Sequence, residues 1–226
     1  ILKSDREVLG EYCFPSEPVH EEKITFRDLS EYENVSFQGF RGDIYVKEAV
    51  IPEGASVIPK SQFFGCRSLE KLHLPESVSV IGDYAFADCH VLKVWESIEK
   101  LSLKSVGTSA FENCYALEFI SLPDSLTVIE GAAFAGCVSV NKLIFSDTAL
   151  LKKIGDHAFR GCRNLKEVYL PDSVEYVGIS AFRDCVSLEQ ISVSEKIKDQ
   201  PGITELEKNC PNARIRFREV NSVEKE

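Results

Sequence analysis

Cysteine spacing constrains this chain more than any other feature. Cys66, Cys89, Cys114, Cys137, Cys162, Cys185 and Cys210 follow one another at alternating intervals of 23 and 25 residues. Disulfide frameworks and zinc sites do not space their cysteines so evenly. An internal repeat does, and a period in the twenties means a solenoid of short stacked coils.

The flanking residues share the period. Ile81-Gly82-Asp83-Tyr84-Ala85-Phe86-Ala87-Asp88-Cys89 matches Ile154-Gly155-Asp156-His157-Ala158-Phe159-Arg160-Gly161-Cys162, and Val177-Gly178-Ile179-Ser180-Ala181-Phe182-Arg183-Asp184-Cys185 matches both. Three residues after the cysteines stand Leu69, Leu92, Leu117, Val140, Leu165 and Leu188. Apolar residues recur six and eight after Cys, as in Leu72/Leu74, Ile120/Leu122, Leu143/Phe145, Val168/Leu170 and Ile191/Val193. A Pro-acid-Ser-apolar turn follows at Pro75–Val78, Pro123–Leu126 and Pro171–Val174. Upstream, Phe40-Arg41-Gly42-Asp43 overlays Phe159-Arg160-Gly161-Cys162, with Asp43 standing 23 residues before Cys66 where the others carry Cys. A weaker coil contains Ile24 and Phe26. The register gives about seven clear coils and eight or nine in all.

Apolar residues two apart are the period of a strand with one face inward. The Pro after them cannot donate to a ladder and ends the strand. The Gly-x-x-Ala-Phe-x-x-Cys stretch is too short for a full helix and reads as a 3₁₀ or single α turn that packs Phe inward. One coil cannot bury its own apolar face, so coils must be consecutive and their ends capped. The 25-residue units carry two extra residues between the strand and the next apolar-Gly pair, as between Ser146 and Lys153. These should bulge on one edge in alternate coils. Pro201 starts a helix expected to run through Leu206, because Pro suits a first helical turn. Ile215 and Phe217 then close the sheet, one residue out of register. Trp95 falls at an inward position, unless the insertion in its coil shifts the register and exposes it.

The I-G-x-x-A-F-x-x-C-x-x-L-x-x-I-x-L-P-x-S-V units resemble the BspA-like family of bacterial leucine-rich repeats over about Phe37 to Val193. The resemblance implies a leucine-rich-repeat solenoid, a right-handed β/α superhelix. Short parallel strands lie on one face and 3₁₀ or short helical turns on the other, mainly β by content. It divides the chain into an N-terminal cap with a degenerate coil (1–36), repeats of 23 and 25 residues (37–193) and a C-terminal cap with a short helix (194–226). It also implies an interaction protein, cell-surface or secreted, in host-associated bacteria. It carries over no catalytic residues. The chain opens without Met and without a basic-then-apolar run, so a preceding segment is expected to have been removed.

The cysteines admit three readings. Stacked free thiols would form a core ladder, since free Cys behaves as a small buried hydrophobe. Disulfides between neighbouring coils are disfavoured, because parallel stacked side chains hold their Cβ atoms slightly too far apart and offer no unique pairing. A metal site needs a tetrahedral cluster, and a column of thiols gives a row. The ladder fits best. Unpaired thiols suit a reducing compartment or an anaerobic habitat, which leaves a cytoplasmic location as the alternative to the surface.

Chemistry-bearing motifs are absent: no G-x-S-x-G, G-x-x-x-x-G-K-[ST], H-E-x-x-H or G-x-G-x-x-G occurs. The reading is of a non-enzyme with no cofactor and no metal. His20, His73, His90 and His157 fall at different repeat positions. His73 is expected on the outer face of a strand and His157 in a solvent-side turn. Asp124 and Asp172 read as turn residues, each following Pro and preceding Ser. The sequon Asn34-Val35-Ser36 is short enough to be coincidental. With 36 acidic against 26 basic residues the net charge is −10, which opposes non-specific nucleic-acid binding. No apolar run approaches the roughly 20 residues of a membrane span.

Function is expected on the outward sheet face. Five residues after Cys stand Lys71, Val94, Phe119, Lys142, Glu167 and Gln190, and seven after stand His73, Glu96, Ser121, Ile144, Tyr169 and Ser192. Phe119, Ile144 and Tyr169 come from consecutive coils and should form a diagonal apolar patch at about 5 Å per step. Solvent-facing aromatics flanked by charge are typical of binding hot spots. The expected role is an adhesin-like protein-interaction module that binds a protein or glycan partner, host molecules included. Phe119, Ile144 and Tyr169 are its anchors and Lys71, Lys142 and Glu167 its polar rim. The alternative is a structural scaffold or spacer in a larger protein or homo-oligomer. Scattered surface hydrophobes are the plainer account of the patch. Oligomeric state is not legible in the sequence.

Overall fold

The computed structural model describes residues 23–25, 40–96, 100–146 and 148–219, with 23–25 and 94–96 as backbone alone. In chain order the strands are β1 (Lys23–Thr25), β2 (Glu48–Val50), β3 (Val57–Ile58), β4 (Lys71–His73), β5 (Val80–Ile81), β6 (Val94–Glu96), β7 (Ser105–Val106), β8 (Phe119–Ser121), β9 (Val128–Ile129), β10 (Lys142–Ile144), β11 (Lys153–Ile154), β12 (Glu167–Tyr169), β13 (Tyr176–Val177), β14 (Gln190–Ser194) and β15 (Arg214–Arg218). All pairings are parallel. The even-numbered strands and the two terminal ones form a four-stranded sheet, β1-β2-β4-β6, and a five-stranded sheet, β15-β14-β12-β10-β8. The rest form a six-stranded sheet from β3 to β13. The chain is a solenoid of about seven coils, mainly β. A strand at Lys23–Thr25 marks the weak upstream coil. Phe26 and the sequon lie outside the described residues.

The six-stranded sheet is an addition to the expected single strand per coil. It forms at the apolar-Gly pair, where Ile58, Ile81, Val106, Ile129, Ile154 and Val177 are all buried. The glycine that follows permits close stacking of coils. A Cβ on Gly155 would sit 2.6 Å from the Gly131 nitrogen, and one on Gly107 2.7 Å from the Asp83 nitrogen.

The Phe-to-Cys segment uses i to i+3 hydrogen bonds, as a 3₁₀ turn would, but left-handed residues break it into successive turns. In one coil Gly82, Tyr84 and Phe86 carbonyls accept from Ala85, Ala87 and Cys89. Tyr84 and Asp88 have φ of 56° and 60°. Positive φ at the third residue is the mark of a type II turn. The result aims every Phe at the axis. Phe40, Phe63, Phe86, Phe111, Phe134, Phe159 and Phe182 stack in one column, with centroids 5.1 to 5.8 Å apart.

The seven described cysteines are free and buried. Each donates its S–H to the carbonyl of the stacked Phe one coil back, at 3.0 to 3.4 Å, from Cys66 to Phe40 through Cys210 to Phe182. Burial pushes the Cys137 thiol up to about 12 and the Cys210 thiol to about 11. It raises the other five as well. A protonated thiol is what the S–H bond needs, and it is a poor nucleophile. Asp43 takes the Cys place in the Phe40 coil, and its carboxylate accepts from the Tyr45 and Val46 amides at 2.7 and 3.1 Å.

The serines of the Pro-acid-Ser turns stitch coils together. Ser77 donates to Ala55 O at 2.8 Å, Ser125 to Leu103 O at 2.8 Å and Ser173 to Leu151 O at 2.9 Å. Asp124 and Asp172 reach to other coils: Asp124 accepts from the Ser146 and Thr148 hydroxyls, and Asp172 from Arg218.

At the C-terminal end, short helices at Pro201–Thr204 and Leu206–Asn209 replace the turn segment, extending past the expected Leu206. Elsewhere the amide at the Ser180 position donates to a carbonyl of the next coil, as His157 N–H does to Ile179 O at 2.9 Å. A helix spends its carbonyls internally. Here the Glu205 carboxylate substitutes, accepting from Ser180 N–H at 3.1 Å and the Ser180 hydroxyl at 3.2 Å. β15 then pairs with β14, Ile215 opposite Ile191. Ile215 is five residues after its Cys and Ile191 six after its own, which is the expected shift of one.

Candidate functional site

Side chains alternate across a strand, and the three-residue strands bury their middle residue. Leu72, Ile120, Leu143 and Val168 are at most 6% exposed. By backbone register Trp95 stands opposite Leu72. The flanking positions face out. Phe119, Ile144 and Tyr169 are 40%, 37% and 49% exposed. Lys71, Lys142 and Glu167 are also exposed.

Strand register brings five of these six together. Phe119 lies beside Lys142, and Lys142 beside Glu167, across β8, β10 and β12. Ile144 pairs with Ser121, and Tyr169 with Ser192. Lys71 stands apart, on β4 of the other sheet, between Glu48 and Val94. β6 and β8 do not pair, so the two outward faces meet at a break. His73, on the four-stranded sheet, holds its Nε2 3.1 Å from the Glu48 carboxylate. His157 is half-buried in its turn, with φ of 59°.

Two features escaped the alternation argument. The Arg218 guanidinium lies over the Tyr169 ring at 3.8 Å from its centroid. It also donates to Leu170 O at 2.6 Å, the Asp172 carboxylate at 2.6 Å and the Ser192 hydroxyl at 3.0 Å. One face of Tyr169 is therefore held by the C-terminal strand. Tyr115, 40% exposed, stacks on His90 with centroids 4.6 Å apart. Both follow a Cys directly, upstream of the strand, where a period of two says nothing.

Concavities are shallow and polar. One of about 340 Å³ is lined by Ser180, Arg183, Asp184, Glu205, Lys208 and Asn209. Its Ser180 and Glu205 are spent on the end cap. Among the described residues no group of three or more His, Cys, Asp or Glu is placed to hold a metal ion, and no helix is long and apolar enough to cross a membrane.

A family model described as BspA type leucine rich repeat region matches six copies, over residues 33–149 and 96–202. None of the curated proteins matches the chain. Among solved structures, a leucine-rich repeat protein from Bacteroides ovatus is 22% identical, with a TM-score of 0.57 over 84% of this chain and 64% of its own. The leucine rich repeat protein of T. pallidum is 26% identical, with a TM-score of 0.50 over 88% and 78%. A leucine rich cell surface protein from Faecalibacterium prausnitzii is 22% identical, with a TM-score of 0.50 over 81% and 62%. The chain thus spans less than two thirds of the first and third of these proteins. The chain belongs to the BspA-type leucine-rich repeat family.

Proposed function

We propose that this member of the BspA-type leucine-rich repeat family is a non-catalytic recognition module, displayed at the cell surface or secreted, that binds a protein or glycan through its outward sheet face. Phe119, Ile144 and Tyr169 are the apolar anchors, and Lys142, Glu167 and the more distant Lys71 the polar rim. The observation that carries this reading is three half-exposed apolar side chains on three adjacent strands, β8, β10 and β12, whose middle residues are fully committed to the core. Anchors of this kind supply most of an interface's energy when a partner desolvates them. Tyr169 enters with its orientation already fixed by Arg218, so less side-chain freedom is lost on binding.

The test is binding to a panel of mucins, matrix proteins and immobilised glycans, comparing wild type with Phe119→Asp/Ile144→Asp. These two positions avoid the Tyr169–Arg218 contact. Retention by wild type and loss in the variant, with unchanged thermal melts, supports the assignment. Equal retention by both, or none by either, sinks it.

A further inference from the structure

β15 is the outermost strand of the five-stranded sheet, and its second edge carries no strand among the described residues. Its five residues pair in register with β14, the longest register in the fold. Arg214 N–H donates to Glu189 O at 2.8 Å. Backbone groups change sides at each residue of a strand, so Arg214, Arg216 and Arg218 direct theirs at β14. Ile215 and Phe217 direct their N–H and C=O groups at the open edge. Such an edge is a template for another strand.

Side chains say what that strand must carry. By register Arg214 lies opposite Gln190 and Arg216 opposite Ser192, so both arginines lengthen the outward face that Phe119, Lys142 and Tyr169 occupy further in. Arg214 and Arg216 are exposed and make no side-chain hydrogen bond or ion pair among the described residues. Gln190, Ser192 and Ser194 are uncharged, so β14 offers them no carboxylate on this face. Arg218 differs, being spent on Tyr169, Leu170, Asp172 and Ser192. On the opposite side of β15, Phe217 is 47% exposed, whereas Val193 beside it is fully buried. Within the solenoid each apolar row is covered by the next coil; at β15 the row is open among the described residues.

We propose that the open edge of β15 binds an extended segment of a partner protein in which acidic and apolar residues alternate. The segment adds as a further strand. Its main chain bonds to Ile215 and Phe217, its acidic side chains lie beside Arg214 and Arg216, and its apolar ones pack on Phe217. The inference rests on the outward face being a recognition surface and names a partner chemistry for its C-terminal end, but it uses different residues, so the two can fail separately. An anionic polysaccharide would meet the arginines and leave the free backbone groups and the Phe217 ring unused. A second copy of the same edge would set arginine against arginine.

The probe is a capped, dye-labelled peptide alternating glutamate and valine, titrated against the full chain by fluorescence anisotropy at low ionic strength. Saturable binding is expected. A peptide of the same composition with its glutamates and valines in separate blocks, and the alternating peptide N-methylated along its backbone, should bind about tenfold more weakly or worse. Arg214→Glu/Arg216→Glu should lose the glutamate peptide to a similar degree and gain one that alternates lysine and valine, a gain that only a folded variant can show. Bound peptide should slow deuterium exchange at the Ile215 and Phe217 amides. Phe119→Asp/Ile144→Asp should bind the peptide as wild type does. Absence of saturable binding overturns the proposal. Block peptide and polygalacturonate binding as tightly as the alternating peptide would also overturn it, since the arginines would then read charge alone. Loss of the peptide in Phe119→Asp/Ile144→Asp would move the contact to the middle of the sheet, overturning the edge assignment and leaving the recognition reading standing. Binding that appears only after residues 220–226 are deleted assigns the edge to the chain's own tail, and wild-type self-association that Phe217→Asp abolishes assigns it to a second copy; either result overturns the proposal.

Discussion

The sheet flank and the turn flank obey the same repeat but tolerate its irregularity differently. Where successive main strands are 23 residues apart, as in β4 to β6, β8 to β10 and β12 to β14, three residues pair in register. Where they are 25 apart, the register shrinks to one pair between β10 and β12 and vanishes between β6 and β8. The two extra residues come after β6 and after β10, on the way to the next short strand. The six-stranded sheet pairs two residues at every step, whichever interval it crosses. The Phe column does not notice the difference either: Phe86 and Phe111, across a 25-residue interval, are 5.1 Å apart, and Phe63 and Phe86, across 23, are 5.2 Å apart. Continuity is held by the turn flank and the short sheet. The main sheet is left free to vary and to break.

The strongest way to break this comparison is to titrate the turn flank. In the unfolded chain the thiols release their protons at about pH 8.5. In the fold burial keeps them protonated, up to about 11 for Cys210 and about 12 for Cys137. Their contribution is therefore complete below pH 8 and is lost as pH rises above 9. Each thiol contributes on the order of 1.4 kcal/mol per pH unit in that window, and seven act together. Cooperative alkaline unfolding should begin between about pH 9 and 10, followed by circular dichroism. A Cys137→Ala/Cys162→Ala variant should shift the onset upward. Stability that is flat to pH 11 would mean the column does not hold the fold.

A smaller perturbation removes one ring. Phe134→Ala, in the middle of the column, should cost about 3–5 kcal/mol in urea denaturation, since its neighbours cannot collapse without breaking the flanking turns. A cost near that of a surface substitution would transfer the structural burden to the sheet flank.

The smallest effect sharpens the contrast at the break. Asn141 N–H donates to Glu118 O at 2.9 Å and Lys93 N–H to Glu70 O at 3.2 Å, one strand to the preceding one. Among the described residues Glu118 N–H makes no matching backbone bond to the β6 coil. Its amide should exchange with deuterium faster than those of Lys93 and Asn141. Equal protection at all three would mean that β6 and β8 pair in solution.

What could be read without coordinates follows from what repeats. The Cys and Phe columns, the buried row at Leu72, Ile120 and Leu143, the longer connection after β6 and β10 and the register shift at Ile215 each express a period, and periods are visible in one dimension. The short sheet was hidden because two residues cannot display alternation. The left-handed turn positions were half visible: Gly136 and Asn113 suit positive φ, but Ala132, Tyr84 and His157, at φ of 55°, 56° and 59°, give no sign of it. In the site, alternation placed Phe119, Ile144 and Tyr169 outward. It could not place Arg218 over Tyr169, because Arg218 reaches a carbonyl 48 residues back, a relation no local pattern records. Nor could it separate Lys71 from the others, since the break that isolates it depends on how an insertion is absorbed.

The alternation of 23 and 25 also sets how such a molecule can lengthen. The coils of β6 and β10, each with two extra residues, lose register with the strand that follows, and in both cases a coil without them comes next. Duplicating one coil alone would place two long coils, or two short ones, side by side. Two long ones in succession would interrupt the main sheet twice running. The module that can be copied or deleted without that defect is the pair. A lineage built on this pattern should vary in length by double coils, and each added pair carries two outward rows of freely varying residues on a turn flank that stays the same.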